Sequence, residues 1–357
     1  MKPWLCAEAA VTELDVHLLV SREQVGWPDE LLRSAGFTAM ASWPGFVEQV
    51  YRFPFYRLEA KVDNKVVGLM TLTKIHHPVF GNYLTTAPFA SYGGFAYENA
   101  QARNAVLDEA NRLRKNQDVK YVLVRFDAED ESAPVGWQNH PVYATYLVSL
   151  ESDPESLFAG FSSNHRNHVR KSQKKGFNIR FGHLDLLDDA YEGLARSMHE
   201  LGSPYHGKEY LSAMAASLGE TLEFAVVYDA SGKVVGSGVF IIQGDVVTNL
   251  HANILRVYRS DYAGEFLYWS AIEHYGQAGI KTFDLGRSLI GSGNEVFKLK
   301  WNPRVRPLSY WYALSPGISM PDLNQKNPKF QLAIAVWKRL PHPLVRFLGP
   351  FLIRGLA

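Results

Sequence analysis

The chain has 357 residues, 46% of them hydrophobic, which suits two separately cored lobes better than one. Its 37 Lys+Arg against 36 Asp+Glu exclude the basic excess of a dedicated nucleic-acid binder. The single cysteine, Cys6, excludes an internal disulfide and a cysteine-based zinc cluster.

Residues 1–20 carry Glu8, Glu13 and Asp15 and lack a basic flank leading into an apolar run, so they do not read as a signal peptide. No stretch reaches the roughly 20 apolar residues of a membrane span. The expected location is the cytoplasm, at most on the inner face of a membrane.

The first predicted elements are strands over 55–62 and 65–72, joined by Asp63-Asn64, residues that tolerate hairpin dihedrals. Ser91-Tyr92-Gly93-Gly94-Phe95 is a glycine loop. A helix over 103–115 sets Val106, Leu107, Ala110 and Leu113 on one face, and a strand over 121–126 follows. A new helix starts at Ser152-Asp153-Pro154-Glu155, with Asp153 as cap and Pro154 in the first turn. Residues 164–175 hold Arg166, Arg170, Lys171, Lys174 and Lys175, with His165 and His168, and Gly176 ends the segment. Such a charge run is either a solvated face or a contact for a phosphorylated donor or acceptor.

After a strand over 177–181 and a helix over 185–201, the first pattern returns. Strands over 222–228 and 233–240 flank a polar turn, and Lys233-Val234-Val235-Gly236 repeats Lys65-Val66-Val67-Gly68. A helix over 265–278 carries Phe266, Trp269, Ile272 and Tyr275 at helical spacing, and a strand over 281–285 follows. The echo indicates an internal duplication with lobes at 1–150 and 151–320 and a tail at 321–357. The tail is apolar and basic, with Lys338, Arg339, Arg346 and Arg354; it either lies on an anionic membrane surface or packs on the lobes. His76-His77 and His165/His168 have no carboxylate or cysteine at a spacing that completes a metal site, so no metal is expected.

Four motifs in order resemble the FemAB family. They are the basic helix Ser163-Asn164-His165-Arg166-Asn167-His168-Val169-Arg170-Lys171-Ser172-Gln173-Lys174-Lys175-Gly176 and the turn Gly202-Ser203-Pro204-Tyr205-His206. Then come Phe283-Asp284-Leu285-Gly286-Arg287-Ser288 with Gly291-Ser292-Gly293 and Val296-Phe297-Lys298-Leu299-Lys300-Trp301, and finally Trp337-Lys338-Arg339-Leu340-Pro341 with Leu348-Gly349-Pro350 and Arg354. The last is similar to the tail of a subgroup found with exopolysaccharide systems. The long charged helical arm of the peptidoglycan-bridge members is missing, and Asn302-Pro303 stands where the family often has glycine.

The resemblance implies an α/β fold of two tandem acetyltransferase-like (GNAT-like) lobes, each a mixed, largely antiparallel sheet flanked by helices. It implies an enzyme that joins an activated acyl or aminoacyl group to an amine, such as a cell-envelope or polysaccharide precursor. No tightly bound cofactor is expected; the donor is aminoacyl-tRNA or acyl-coenzyme A. A small-molecule acyl-coenzyme A enzyme and a non-catalytic scaffold are the competing readings.

Such chemistry needs a neutral amine and a cation or donor for the developing oxyanion. The resemblance sets Lys298 beside the reacting centre as that cation. Asp284 and Arg287, at a strand end, either serve as amine-orienting base and anion grip or pair with each other. Phe297, Ser288, Tyr205, His206, Asn164, Arg166 and Arg170 are candidate substrate contacts. Arg259, Tyr262 and Gly264 precede a helix where related acetyltransferases hold the coenzyme A pyrophosphate, but the glycine spacing is wrong and Asp261 is acidic. Gly291 and Gly293 free the backbone for close approach to an anion. The first lobe either holds the acceptor or only supports the fold.

Overall fold

A computed structural model describes residues 14–19, 26–127, 132–151, 153–321 and 328–357. Cys6 and most of the N-terminal segment lie outside the described residues.

The first lobe runs β1 (Leu14–Leu19), α1 (Asp29–Ala35), α2 (Ser42–Tyr51), β2 (Phe55–Val62), β3 (Lys65–His77), β4 (Gly81–Thr85), β5 (Phe95–Tyr97), α3 (Ala100–Asn116) and β6 (Tyr121–Phe126). Asp63 and Asn64, both at positive φ, close the β2–β3 hairpin as their type requires. Helix α3 carries the chain from β4 to β6, which pair in parallel at Leu84↔Val122 and Thr85↔Leu123. Val106, Leu107, Ala110 and Leu113 of α3 are buried on that sheet, the face its spacing predicts.

Next come β7 (Gln138–Asn139), β8 (Tyr143–Ser149), α4 (Pro154–Gly160) and α5 (Ser163–Gln173). Asp153 caps α4 through the Ser156 N–H at 2.9 Å, with Pro154 in the first turn. Gly176, at φ +72°, follows α5. The second lobe then repeats the first: β9 (Asn178–Gly182), α6 (Leu187–Leu201), α7 (Lys208–Leu218), β10 (Leu222–Tyr228), β11 (Val234–Gln243), β12 (Val246–Ile254), α8 (Ala263–Gln277) and β13 (Thr282–Asp284). Again one parallel pair, β12 with β13, is bridged by a helix. The chain closes with β14 (Ser288–Leu289), α9 (Gly293–Leu299), β15 (Arg304–Leu314), α10 (Pro328–Trp337) and α11 (His342–Ile353).

The strand orders β1-β2-β3-β4-β6 and β9-β10-β11-β12-β13 are the same five-strand unit twice. The fold is thus α/β, two tandem GNAT-like sheets flanked by helices. Strand β8 leaves the first half of the chain to pair with β13, and β15 leaves the second half to pair with β6. The N-terminal part of β15 also pairs β8, from Arg304↔Leu147 to Leu308↔Tyr143. One sheet therefore passes through both lobes, and the strand just before residue 150 is bonded into the second lobe's sheet. Between the lobes lies a shared core in which α2, with Trp43, Phe46 and Tyr51, meets Tyr210 and Met214 of α7.

The tail packs on the body. Trp337 and Val345 are buried, His77 Nε2 meets the Phe351 carbonyl at 2.9 Å, and the Tyr83 hydroxyl donates to the Gly355 carbonyl at 3.1 Å. Its other face leaves Leu332, Val336 and Phe347 exposed. No helix among the described residues is long and apolar enough to cross a membrane.

Candidate active site

Strand β13 ends at Asp284, and the chain turns sharply at Gly286 (φ +75°). A Cβ at Gly286 would lie 2.7 Å from the Asn249 carbonyl of β12, so only glycine fits there. The Asp284 side chain is fully buried and accepts the Gly286 N–H at 2.8 Å, the Tyr92 hydroxyl at 2.8 Å and the Thr145 hydroxyl. A buried carboxylate with three donors is the arrangement that keeps the charged form tolerable in the interior.

Helix α9 brings Lys298 under the same turn. Its ammonium donates to the carbonyls of Gly286 at 2.7 Å and Arg287 at 2.8 Å, and sits 5.5 Å from the Tyr146 ring centroid. Lys298 is 3% exposed, far from the solvated position usual for lysine. Burial pushes it down to about 7, against the charge of Asp284, which raises it, and with Arg287, which lowers it. Arg287 does not pair with Asp284. Its guanidinium bonds the Tyr310 hydroxyl and lies 5.0 Å from the Tyr143 ring centroid, and its backbone N–H reaches Ser91 Oγ at 3.4 Å.

The segment Gly291-Ser292-Gly293 is the start of α9. Ser292 Oγ accepts the Glu295 N–H at 3.2 Å, the Glu295 carboxylate accepts the Gly291 N–H, and Tyr146 donates to Glu295 at 2.8 Å. The anion held by this loop is the chain's own Glu295 carboxylate. The Ser-x-x-Glu spacing of a capping box was present in the sequence as a signal for it. Ser288 Oγ accepts from Asn294 Nδ2 at 3.0 Å and so fixes the loop.

A cleft of about 860 Å³ opens between the lobes. Arg33, Ser91, Tyr92 and Asp127 line it from the first lobe, Leu147 of β8 and Thr248 and Thr282 of the second lobe's sheet face them, and Arg304 and Arg306 enter from β15. Tyr92 joins cleft to turn: it lines the wall and donates to Asp284. Asp284, Arg287 and Lys298 themselves lie behind that wall. Sequence reading missed the cleft residues because two different lobes supply them.

Other candidates lie elsewhere. Tyr205 and His206 are buried in the interlobe core, where Tyr51 Oη and His206 Nδ1 lie 2.6 Å apart and the imidazole stacks on Tyr210 at 3.7 Å. Tyr205 packs edge-on against His206 and His251. On α5, Asn164 is exposed, Arg166 donates to the Ala159 carbonyl at 2.9 Å, and Arg170 lies over Phe158. Lys175 pairs with Asp261 at 2.6 Å.

At the start of α8, Arg259 Nε donates to the Ile254 carbonyl at 3.3 Å, Tyr262 adopts φ +60°, and Gly264 packs under the Phe297 ring. Glu265, in the first turn, meets Lys300 at 3.4 Å. Both carboxylates at this helix start are ion-paired, Asp261 with Lys175 and Glu265 with Lys300. Beside it His165 is 1% exposed and pushed down to about 4 by burial and by the nearby Lys300 and His168.

Residues 161–299 match the family model described as acetyltransferase (GNAT) domain. No curated protein matches the sequence. Among solved structures, FemX aligns with a TM-score of 0.64 at 13% identity over 87% of this chain and 100% of its own. L-PGS from Bacillus licheniformis aligns at 0.54 and 14% identity, covering 89% and 100%. A tandem GNAT protein from the clavulanic acid biosynthesis pathway aligns at 0.54 and 12% identity, covering 86% and 100%. The likeness is one of fold.

Proposed function

We propose that this tandem GNAT-fold chain transfers an acyl or aminoacyl group to an amine, with the chemistry at the turn that follows β13. The observation that carries the reading is the convergence of buried Asp284, Arg287 and Lys298 on that turn, with Tyr92 linking it to the interlobe cleft. The amine nitrogen attacks the acyl carbon, the bond to the leaving group breaks, and the amine's proton departs toward the Tyr92–Asp284 pair. Lys298 supplies positive charge to the oxyanion, a kind of stabilisation worth about 3 kcal/mol.

A second reading is favoured by the two carbonyls that already occupy the Lys298 ammonium. In it Lys298 is a positioning residue that holds the turn bearing Asp284 and Arg287. The two readings separate on pH dependence.

At the start of α8 the cations Lys175 and Lys300 are already held by Asp261 and Glu265, so a pyrophosphate would have to displace those pairs, which favours an aminoacyl-tRNA donor over acyl-coenzyme A. Exposed Lys171 and Lys174 on α5 offer phosphate contacts. The purified chain is expected to show turnover with charged tRNA and no thermal protection by coenzyme A, although a ligand at 100 times its Kd stabilises by about 2.7 kcal/mol. Coenzyme A protection with no RNA dependence would reverse the assignment.

We read the exposed Leu332, Val336 and Phe347, with Lys338 and Arg339 beside them, as a surface that rests on an anionic bilayer. This suits a lipid-linked or cell-envelope acceptor reached from the cytoplasmic face. Phe347→Glu is expected to lower co-sedimentation with phosphatidylglycerol vesicles several-fold while leaving thermal stability unchanged. Equal sedimentation of variant and parent would remove the membrane from the account.

A further inference from the structure

We infer that His165, His168 and Glu265 form a Zn2+ site that clamps α5 onto the first turn of α8. The two histidines are three residues apart on α5 and so share a face. Glu265 comes from the opposing helix, and one ligating atom of each residue lies within 4.8 Å of the others. His168 Nδ1 is already 3.8 Å from Glu265 Oε1. Zinc bonds of about 2.0–2.2 Å in a tetrahedron set ligand atoms about 3.3 Å apart, so side-chain adjustments of about an ångström close the site.

A second observation points to a ligand. His165 is 1% exposed, yet neither of its ring nitrogens has a hydrogen-bond partner, and His168 Nδ1 also lacks one. An imidazole always carries a nitrogen that seeks a donor, a proton acceptor or a metal. Two imidazoles and one carboxylate suit Zn2+ better than Mg2+ or Ca2+, which prefer all-oxygen shells. Three protein ligands leave the fourth position to water. The surroundings hold the ligands in place: Tyr262 stacks on His168 at 4.2 Å, and Trp301 stands edge-on to His165 at 4.4 Å.

Lys300 faces the cluster as well, with its ammonium 3.4 Å from Glu265 Oε1. It is a monovalent cation beside the carboxylate that the metal would take. Its side chain is 35% exposed and lies over the Phe297 ring, so it can turn out to solvent when the metal enters. The proposal shares Glu265 with the argument about the donor but uses none of Tyr92, Asp284, Arg287 and Lys298, so it stands or falls apart from the acyl-transfer chemistry.

The test is calorimetric titration of the chelator-stripped, full-length protein with ZnCl2, followed by thermal unfolding with and without the metal. The expected result is one Zn2+ per chain and a higher Tm. Affinity should fall more than about tenfold in His168→Ala and Glu265→Gln, and rise in Lys300→Ala, which removes the competing charge. Co2+ should give the visible absorption of a tetrahedral site in the parent and lose it in His168→Ala. No Zn2+ uptake by the parent, or equal uptake by the two ligand variants, overturns the proposal. So does a Lys300→Ala variant that binds no more tightly, a readout kept even if a ligand variant fails to fold.

Discussion

Replacing Lys298 with alanine is expected to lower kcat about 100- to 1,000-fold, the loss found when a preorganised donor to an oxyanion is removed. Circular dichroism should show an intact fold, because the residue lies on a short helix whose cap, Ser292 with Glu295, is independent of it. The pH profile of the parent then decides how Lys298 acts. Burial holds its folded value near 7, below the ordinary 10.5. If the ammonium charge stabilises the transition state, kcat falls about tenfold for each pH unit above 7. If Lys298 only positions the turn, kcat persists above pH 7, because a neutral amine still has two N–H groups for the carbonyls of Gly286 and Arg287. Stability moves the other way. Between pH 7 and 10.5 the unfolded chain holds a proton on this lysine that the folded chain lacks, so its contribution to stability rises with pH across that window and is at its minimum below 7.

Asp284→Asn is expected to have the second-largest effect, about 3 kcal/mol of lost stability in urea unfolding together with a fall in turnover. The carboxylate accepts from Gly286, Tyr92 and Thr145. An amide keeps only one acceptor oxygen, and its NH2 then faces the Tyr92 hydroxyl, which must give up donating and accept instead. The charge matters as much as the bonds. Asp284 raises the Lys298 value against the lowering by burial, so the variant should carry a more acidic lysine. Any activity limb set by Lys298 should therefore move to lower pH. A variant with parental stability and an unmoved limb would show that Asp284 and Lys298 are not coupled.

The duplicated α/β architecture was legible in the sequence because its signals are local. Asp63-Asn64 closes a hairpin wherever it stands, the apolar face of α3 follows from helical spacing, and Asp153-Pro154 starts a helix from its own atoms. The grouping of Asp284, Arg287 and Lys298 was legible too, since one short stretch of chain contains all three. Local reading failed where the deciding partner is remote. His206, a candidate substrate contact in a turn, meets Tyr51 of the other lobe 155 positions away. By contrast, the partner that fills the Gly291-Ser292-Gly293 loop is local: Glu295 lies four residues on, at the Ser-x-x-Glu spacing of a capping box.

Two matters belonged to the tertiary structure alone. The exchange of β8 and β15 between the lobes sets the cleft, and no periodicity records which strand a given edge will accept. The carboxylate beside His165 and His168 is likewise absent from their neighbourhood in sequence and arrives only when α8 packs on α5. Backbone dihedrals, caps and amphipathic spacing act within a few residues and can be read along the chain. Burial, charge pairing and ligand geometry depend on which distant segments the folded core brings into contact.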